Sequence, residues 1–268
     1  MKKNTKIITG YVLLFIEVLL LLIITISCIL KVTVFRVSYV KNELAKNNYY
    51  EELSSEIKTE MSYYTNQSGF EDEILDNIFT IGEIKYETNL FIENIYKGKS
   101  RTIDTTKLNE RLDKNINNYL AKNNFENINK KEIADFKKAM AEVYQDEIKL
   151  MGYTDKIAGV VSKIINLSNN ILIISIVLFV LLFIVNHILI KNKEIGVIFF
   201  TTAFILLSIS IYIKNNIDIS NIFIYSKLIS TSIKSIINNL FFINMIIIII
   251  YIIFGFIISM LKKTKKSE

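Results

Sequence analysis

The sequence predicts an all-α membrane protein: four transmembrane helices, with a helical-bundle extracytoplasmic domain inserted between the first and the second. Three observations predict it. Long apolar stretches occupy residues 7–30, 171–190, 195–213 and 240–261, and each reaches the roughly 17 to 25 residues that a helix needs to cross a bilayer. A core helix of a soluble protein keeps a polar stripe, and these keep almost none. Between the first two stretches, apolar residues recur at three- and four-residue steps, with no alternation of period two. Finally, the net charge of +6 is unevenly placed: residues 36–168 hold 19 Lys and Arg against 22 Asp and Glu. The positive excess therefore flanks the apolar stretches, which is an orientation signal. Its basic clusters lack the interleaved aromatics of a nucleic-acid surface, and no nucleic-acid partner is expected.

The elements follow in order. Residues 1–6 are a cytoplasmic N-terminus with Lys2, Lys3 and Lys6, and residues 7–35 the first span. Residues 36–168 are the outer bundle, 169–190 the second span, and 191–194 a cytoplasmic link with Lys191 and Lys193. The third span takes 195–213, an outer linker 214–239, the fourth span 240–261, and a basic cytoplasmic tail 262–268. The outer linker has only Lys214, Lys227 and Lys234, whereas the tail has Lys262, Lys263, Lys265 and Lys266. Four crossings put the three dense lysine groups on one side, and the positive-inside rule makes that side the cytoplasm of a plasma-membrane protein. The first apolar run exceeds the roughly 7 to 15 residues of a signal-peptide core, and no A-x-A-like site follows it. "TISC", ending at Cys28, fits a lipoprotein signal poorly, so a retained anchor is expected.

Within the outer segment, Tyr50, Leu53, Ile57, Met61 and Tyr64 share one helix face. Leu108, Leu112, Ile116 and Tyr119 share a second, behind an N-cap expected at Asp104 or Thr105. Ile133, Phe136, Met140, Val143 and Met151 share a third, opened by Asn129 and Glu132 at capping-box spacing. Shorter helical pieces fall around 71–79 and 83–97. Gly69, Gly82, Gly98 and Gly152 mark the joins, as helix-terminating glycines do. Stripes of this kind are core, and together they make a bundle. Residues 154–190 hold no breaker except Gly159, a cost of about 1 kcal/mol, so one helix should run from the bundle into the second span. In the linker, Ile219, Ile222, Phe223, Ile229, Ile233 and Ile237 recur at helical spacing, as in an amphipathic helix lying on lipid or beneath the bundle.

Much chemistry is excluded. One histidine and one cysteine give neither a transition-metal ligand set nor an internal disulfide, and no cofactor is expected. Cys28 lies toward the outer end of its span and His187 toward the inner end of its own, which separates them as a nucleophile pair. "YKGKS" (residues 96–100) ends like a phosphate loop, but the position five before Gly98 is Glu93 where a glycine is required. The acidic runs at 71–73 and 145–147 lack the ligand spacing of a calcium loop. No residue is assigned a catalytic role.

What remains is polarity inside the spans. "YVLLFIEVLL" (residues 11–20) carries Glu17, about 9 Å from the inner boundary at 1.5 Å per residue. Thr201 and Thr202 fall at similar depth, with Asn186 and His187 shallower. A charge at the helix centre costs roughly 2.5 to 3.5 kcal/mol on insertion scales, so such groups face the bundle interior or water. Glu17 is then either part of a proton, ion or catalytic site with His187, or a hydrogen-bonded contact between helices.

"NYYEELSSEIKTEMSYYTNQSGFEDEIL" (residues 48–75) and "FIENIYKGK" (residues 91–99), with this layout, resemble an uncharacterised family of integral membrane proteins of Firmicutes with a helical extracytoplasmic domain. The resemblance implies the four-span architecture and no particular activity. The topology is also similar to the lipoprotein intramolecular transacylases. Their His-Met-x-Asp-Val type motif is missing, because Ile188 and Leu189 follow His187. The expectation is a non-enzymatic, multi-pass plasma-membrane protein whose outer bundle binds or senses an envelope partner. The alternatives are a membrane-embedded enzyme or transport component using Glu17 and His187, and an accessory subunit of a larger membrane complex. Its partners would be the lipid bilayer and an envelope or membrane protein.

Overall fold

The computed structural model describes residues 3–124, 129–149, 154–190, 194–216 and 227–264. Among them every regular element is helical. In chain order these are α1 (Lys3–Val32), α2 (Val37–Lys46), α3 (Tyr49–Gln67), a 3₁₀ turn (Asp72–Leu75), α4 (Ile81–Tyr96) and α5 (Thr106–Lys122). Then come α6 (Lys130–Ile148), α7 (Thr154–Phe183), a π-helical turn (Ile184–Leu189), α8 (Ile195–Asn216) and α9 (Lys227–Thr264). The chain has no proline, so nothing in it removes a helical N–H or clashes with a preceding turn. It divides into two compact units, Lys41–Lys163 and Met1–Val40 with Ile164–Glu268.

In the first of these units, α3 packs on α4, α6 and the 3₁₀ turn, and α5 packs on that turn and on α6. Ile57, Met61, Leu112, Met140 and Ile148 are completely enclosed, and each such side chain contributes about 1.5 to 3 kcal/mol by leaving water. The expected α5 face is buried throughout, and Tyr50, Leu53, Ile57 and Met61 are buried on α3. Past Met61 that face turns: Tyr64 is exposed and Thr65 is buried, with its hydroxyl donating to the Met61 carbonyl at 2.8 Å. On α6 the packed residues are Phe136, Met140, Tyr144 and Ile148, while Ile133 and Val143 are half-buried. Uniform steps of four overshoot a 3.6-residue turn, so this stripe winds around α6. Met151 lies outside the described residues.

The helix ends are set by specific hydrogen bonds. A full capping box opens α4: the Thr80 hydroxyl accepts from Glu83 N–H at 3.2 Å, and the Glu83 carboxylate accepts from Thr80 N–H at 2.9 Å. The same carboxylate takes two bonds from the Arg111 guanidinium, at 2.7 and 2.8 Å, and so ties α4 to α5. The expected box on α6 is partial, because the Asn129 side chain accepts from Lys131 N–H and donates to Glu132. Asp104 caps α5 by accepting from Thr106 N–H at 2.9 Å. At the end of α4, Gly98 has φ +68, Gly98 N–H bonds the Ile95 carbonyl and Lys99 N–H bonds that of Asn94. This is a Schellman stop, and it accounts for "YKGKS". Gly82 sits inside the first turn of α4 instead of ending a helix, and Gly152 lies outside the described residues.

The second unit contains α1, α8, α9 and the later part of α7. Thr5–Val32, Ala158–Ile188, Ile195–Asn216 and Ile229–Leu261 have mean hydropathies of 2.2 to 3.0 and are long and apolar enough to cross a membrane. The chain is thus a multi-pass membrane protein by length and composition. Phe204, Phe242 and Met260 are about two-thirds exposed, an area of bare hydrocarbon that suits lipid and not water. Helix α8 packs most extensively on α9 and also on α1. The α8–α9 approach is close: a Cβ on Gly196 would lie 2.5 Å from Ser259 Oγ, and one on Gly255 would lie 3.0 Å from the Phe200 ring. Small residues at such crossings are how apolar helices associate without a hydrophobic driving force. Polar pairs join the same helices. Asn244 donates to Ser210 at 2.7 Å, and Thr25 on α1 bonds Tyr251 on α9 at 2.6 Å.

Two expectations meet the structure at element boundaries. Helix α7 is continuous from Thr154 to Phe183 despite Gly159. Helix α9 starts at Lys227, so Ile229, Ile233 and Ile237 lie on the same helix as the fourth apolar stretch. Ile219, Ile222 and Phe223 lie outside the described residues, as do Lys2, Lys191, Lys193, Lys265 and Lys266.

Candidate functional site in the spanning helices

On α1, Leu14, Glu17, Val18, Leu21 and Thr25 follow one another at helical spacing and are all buried, whereas Tyr11, Phe15 and Leu19 are exposed. Glu17 therefore sits on the packed side of the helix. It is fully enclosed. Its neighbours on that face belong to an apolar cluster with Ile198 of α8, flanked by Phe179, Phe199, Ile205 and Tyr251. A carboxyl group there has exchanged water for hydrocarbon, so its remaining polar contacts decide its state.

Those contacts come from the π-helical turn. Asn186 Nδ2 donates to Glu17 Oε2 at 3.2 Å, and His187 Nε2 lies 3.0 Å from the same oxygen. Asn186 is fully buried, and the His187 side chain is 3% exposed. Consecutive residues on an α-helix diverge by about 100° at 3.6 residues per turn, which would aim only one of the two at a single atom. The turn here is wider: Ile190 N–H bonds the Val185 carbonyl, five residues back, at 2.9 Å. Such π turns occur mostly as single insertions and often at functional sites. Phe183 stacks obliquely on the imidazole with ring centres 4.6 Å apart.

The two carboxyl oxygens are unequal. Oε2 faces two nitrogen partners, while Oε1 is buried and meets no hydrogen-bond partner. The amide of Asn186 can only donate through its nitrogen, so Oε2 must keep acceptor character. Between Glu17 and His187 a single proton can sit on either side of the 3.0 Å gap, as carboxylate with imidazolium or as carboxylic acid with neutral imidazole. Both arrangements carry no net charge.

The other expected candidates are placed apart from this chemistry. Thr202 is fully buried, but its hydroxyl donates to the Ile198 carbonyl of its own helix at 2.8 Å. Thr201 is half-buried and makes no hydrogen bond to Glu17. Cys28 is exposed. Among the described residues, no group of three or more His, Cys, Asp and Glu side chains is placed to hold a metal ion. Sequence reasoning missed Phe183, Tyr251, Ser210 and Asn244. The last three are polar groups within apolar stretches, the same signal that singled out Glu17. No protein-family model, curated protein or solved structure matches the chain.

Proposed function

We propose that the protein is a proton-responsive plasma-membrane component in which the Glu17–His187 pair, supported by Asn186, takes up and releases a proton inside the membrane. In this reading both termini are cytoplasmic and residues 36–168 are extracytoplasmic. The observation that carries it is a fully buried carboxyl group with two side chains from one π-helical turn on one oxygen and no partner on the other. A contact needed only to join helices is served by a neutral pair such as Asn244 with Ser210, which the chain also has. An ionisable pair costs more than that and offers a second protonation state.

Infrared difference spectroscopy between acid and neutral pH, on protein in lipid nanodiscs, tests this directly. A buried carboxylic-acid band that responds to pH and disappears in Glu17→Gln is expected. Identical difference spectra for the two proteins would contradict it. A second reading, in which the bundle binds an envelope partner, is favoured by an open cleft between α3, α5 and α6.

A further inference from the structure

Helix α3 ends in a Schellman motif. Gly69, at φ +75, lets its N–H reach the Asn66 carbonyl at 3.3 Å, while Phe70 N–H reaches that of Thr65 at 3.2 Å. This reversal delivers Phe70 to Tyr119 of α5 and Phe136 of α6, with ring centres 5.7 and 5.0 Å away. Beside these rings is an open cleft of about 560 Å³, with Tyr64, Glu132 and Asp135 also in its wall. That volume is ordinary for a small-ligand site.

The charged groups in its described lining are all acidic. None of the described residues lining the cleft is basic. Lys122 pairs with Glu73, Lys137 with Asp113, and Lys138 with Glu142. Among the described residues no cation pairs with Glu132 or Asp135, and Glu132 accepts only from Asn129. The positive end of α6 offsets about half a charge of the two. Aromatic faces attract cations through their quadrupole, and carboxylates add the opposite charge while repelling anions.

We propose that this cleft is a binding site for a small alkylammonium cation free in solution, independent of the Glu17 site. Choline is the probe, and 3,3-dimethylbutan-1-ol, the same shape with carbon in place of the ammonium nitrogen, is its neutral control. Calorimetry on the full-length protein in a maltoside detergent should show saturable choline binding. The alcohol should bind about two- to thirty-fold more weakly, the range of one to several cation–π contacts. Phe70→Leu, which keeps bulk and removes the ring, should weaken choline within the same range. Asp135→Asn, at an exposed position, should weaken it about two- to five-fold. If Phe70→Leu fails to fold by circular dichroism, Tyr64→Leu on the exposed rim replaces it with the same expectation. Absence of saturable choline binding, equal binding of the two probes, or full choline affinity in Asp135→Asn would each overturn the proposal.

Discussion

At Glu17, a fully buried carboxyl group has two nitrogen partners on one oxygen and none on the other. Its neighbours make the pair with His187 a coupled unit, so the two substitutions should not add. We expect Glu17→Gln to accumulate at least as well as the native protein, since glutamine keeps hydrogen bonding and never carries charge. His187→Ala alone should destabilise, because it leaves a buried carboxyl short of a partner. In the double variant that loss should shrink, giving a coupling of about 0.5 to 3 kcal/mol in a double-mutant cycle of unfolding in detergent. Additive effects would mean that the two groups do not share a proton. Glu17 was legible in the sequence as an isolated charge in an apolar run, and His187 and Asn186 as polar residues near its depth. Depth does not give rotation about the helix axis, which is why Thr202 was equally plausible and instead bonds its own backbone. The π turn was not legible at all, since no Gly or Pro marks Ile184–Leu189.

Helix existence was readable in the bundle from its apolar period, but the face of α6 was not. Tyr144 was passed over because tyrosine serves both core and surface, and tertiary packing placed it against Phe79, with ring centres 5.8 Å apart. The capping box at Thr80 and Glu83 has the usual spacing, with Gly82 inside its first turn. That carboxylate also carries a pH dependence outside the spans. Hydrogen bonds from Arg111 hold the Glu83 carboxyl below its ordinary value of 4.5, with burial opposing and the Thr80 bonds assisting. A depressed folded value means that the stabilisation is present above the unfolded value and is lost as pH falls through the folded one. Arg111→Gln should therefore cost about 0.2 to 1 kcal/mol at neutral pH, the range for partly exposed pairs. Thermal melts should show that this cost fades once the pH drops well below 4.5. A cost that persists undiminished in acid would assign the role of Arg111 to packing.

For the whole molecule, the split between an apolar four-helix unit and a polar helical unit follows from two patterns in one chain. Uninterrupted Ile and Leu runs make helices that bury little of themselves in the protein, and 3.6-period stripes make helices that bury one face. The proposed orientation rests on lysines at the cytoplasmic ends. Single cysteines at Ser100 and Lys265, in a Cys28→Ser background, should separate on intact protoplasts: an impermeant maleimide labels the first and not the second. The reverse would invert the topology and remove the bundle from the outer face. Glu17 and His187 are proposed to share a proton that they take up and release inside the membrane, and the chain offers a clean reporter of it. His187 is its single histidine, so labelling histidine with ¹⁵N places the whole signal at the site. In nanodiscs, we expect ring-nitrogen resonances that shift in Glu17→Gln. Identical resonances in the two proteins would overturn the shared-proton reading.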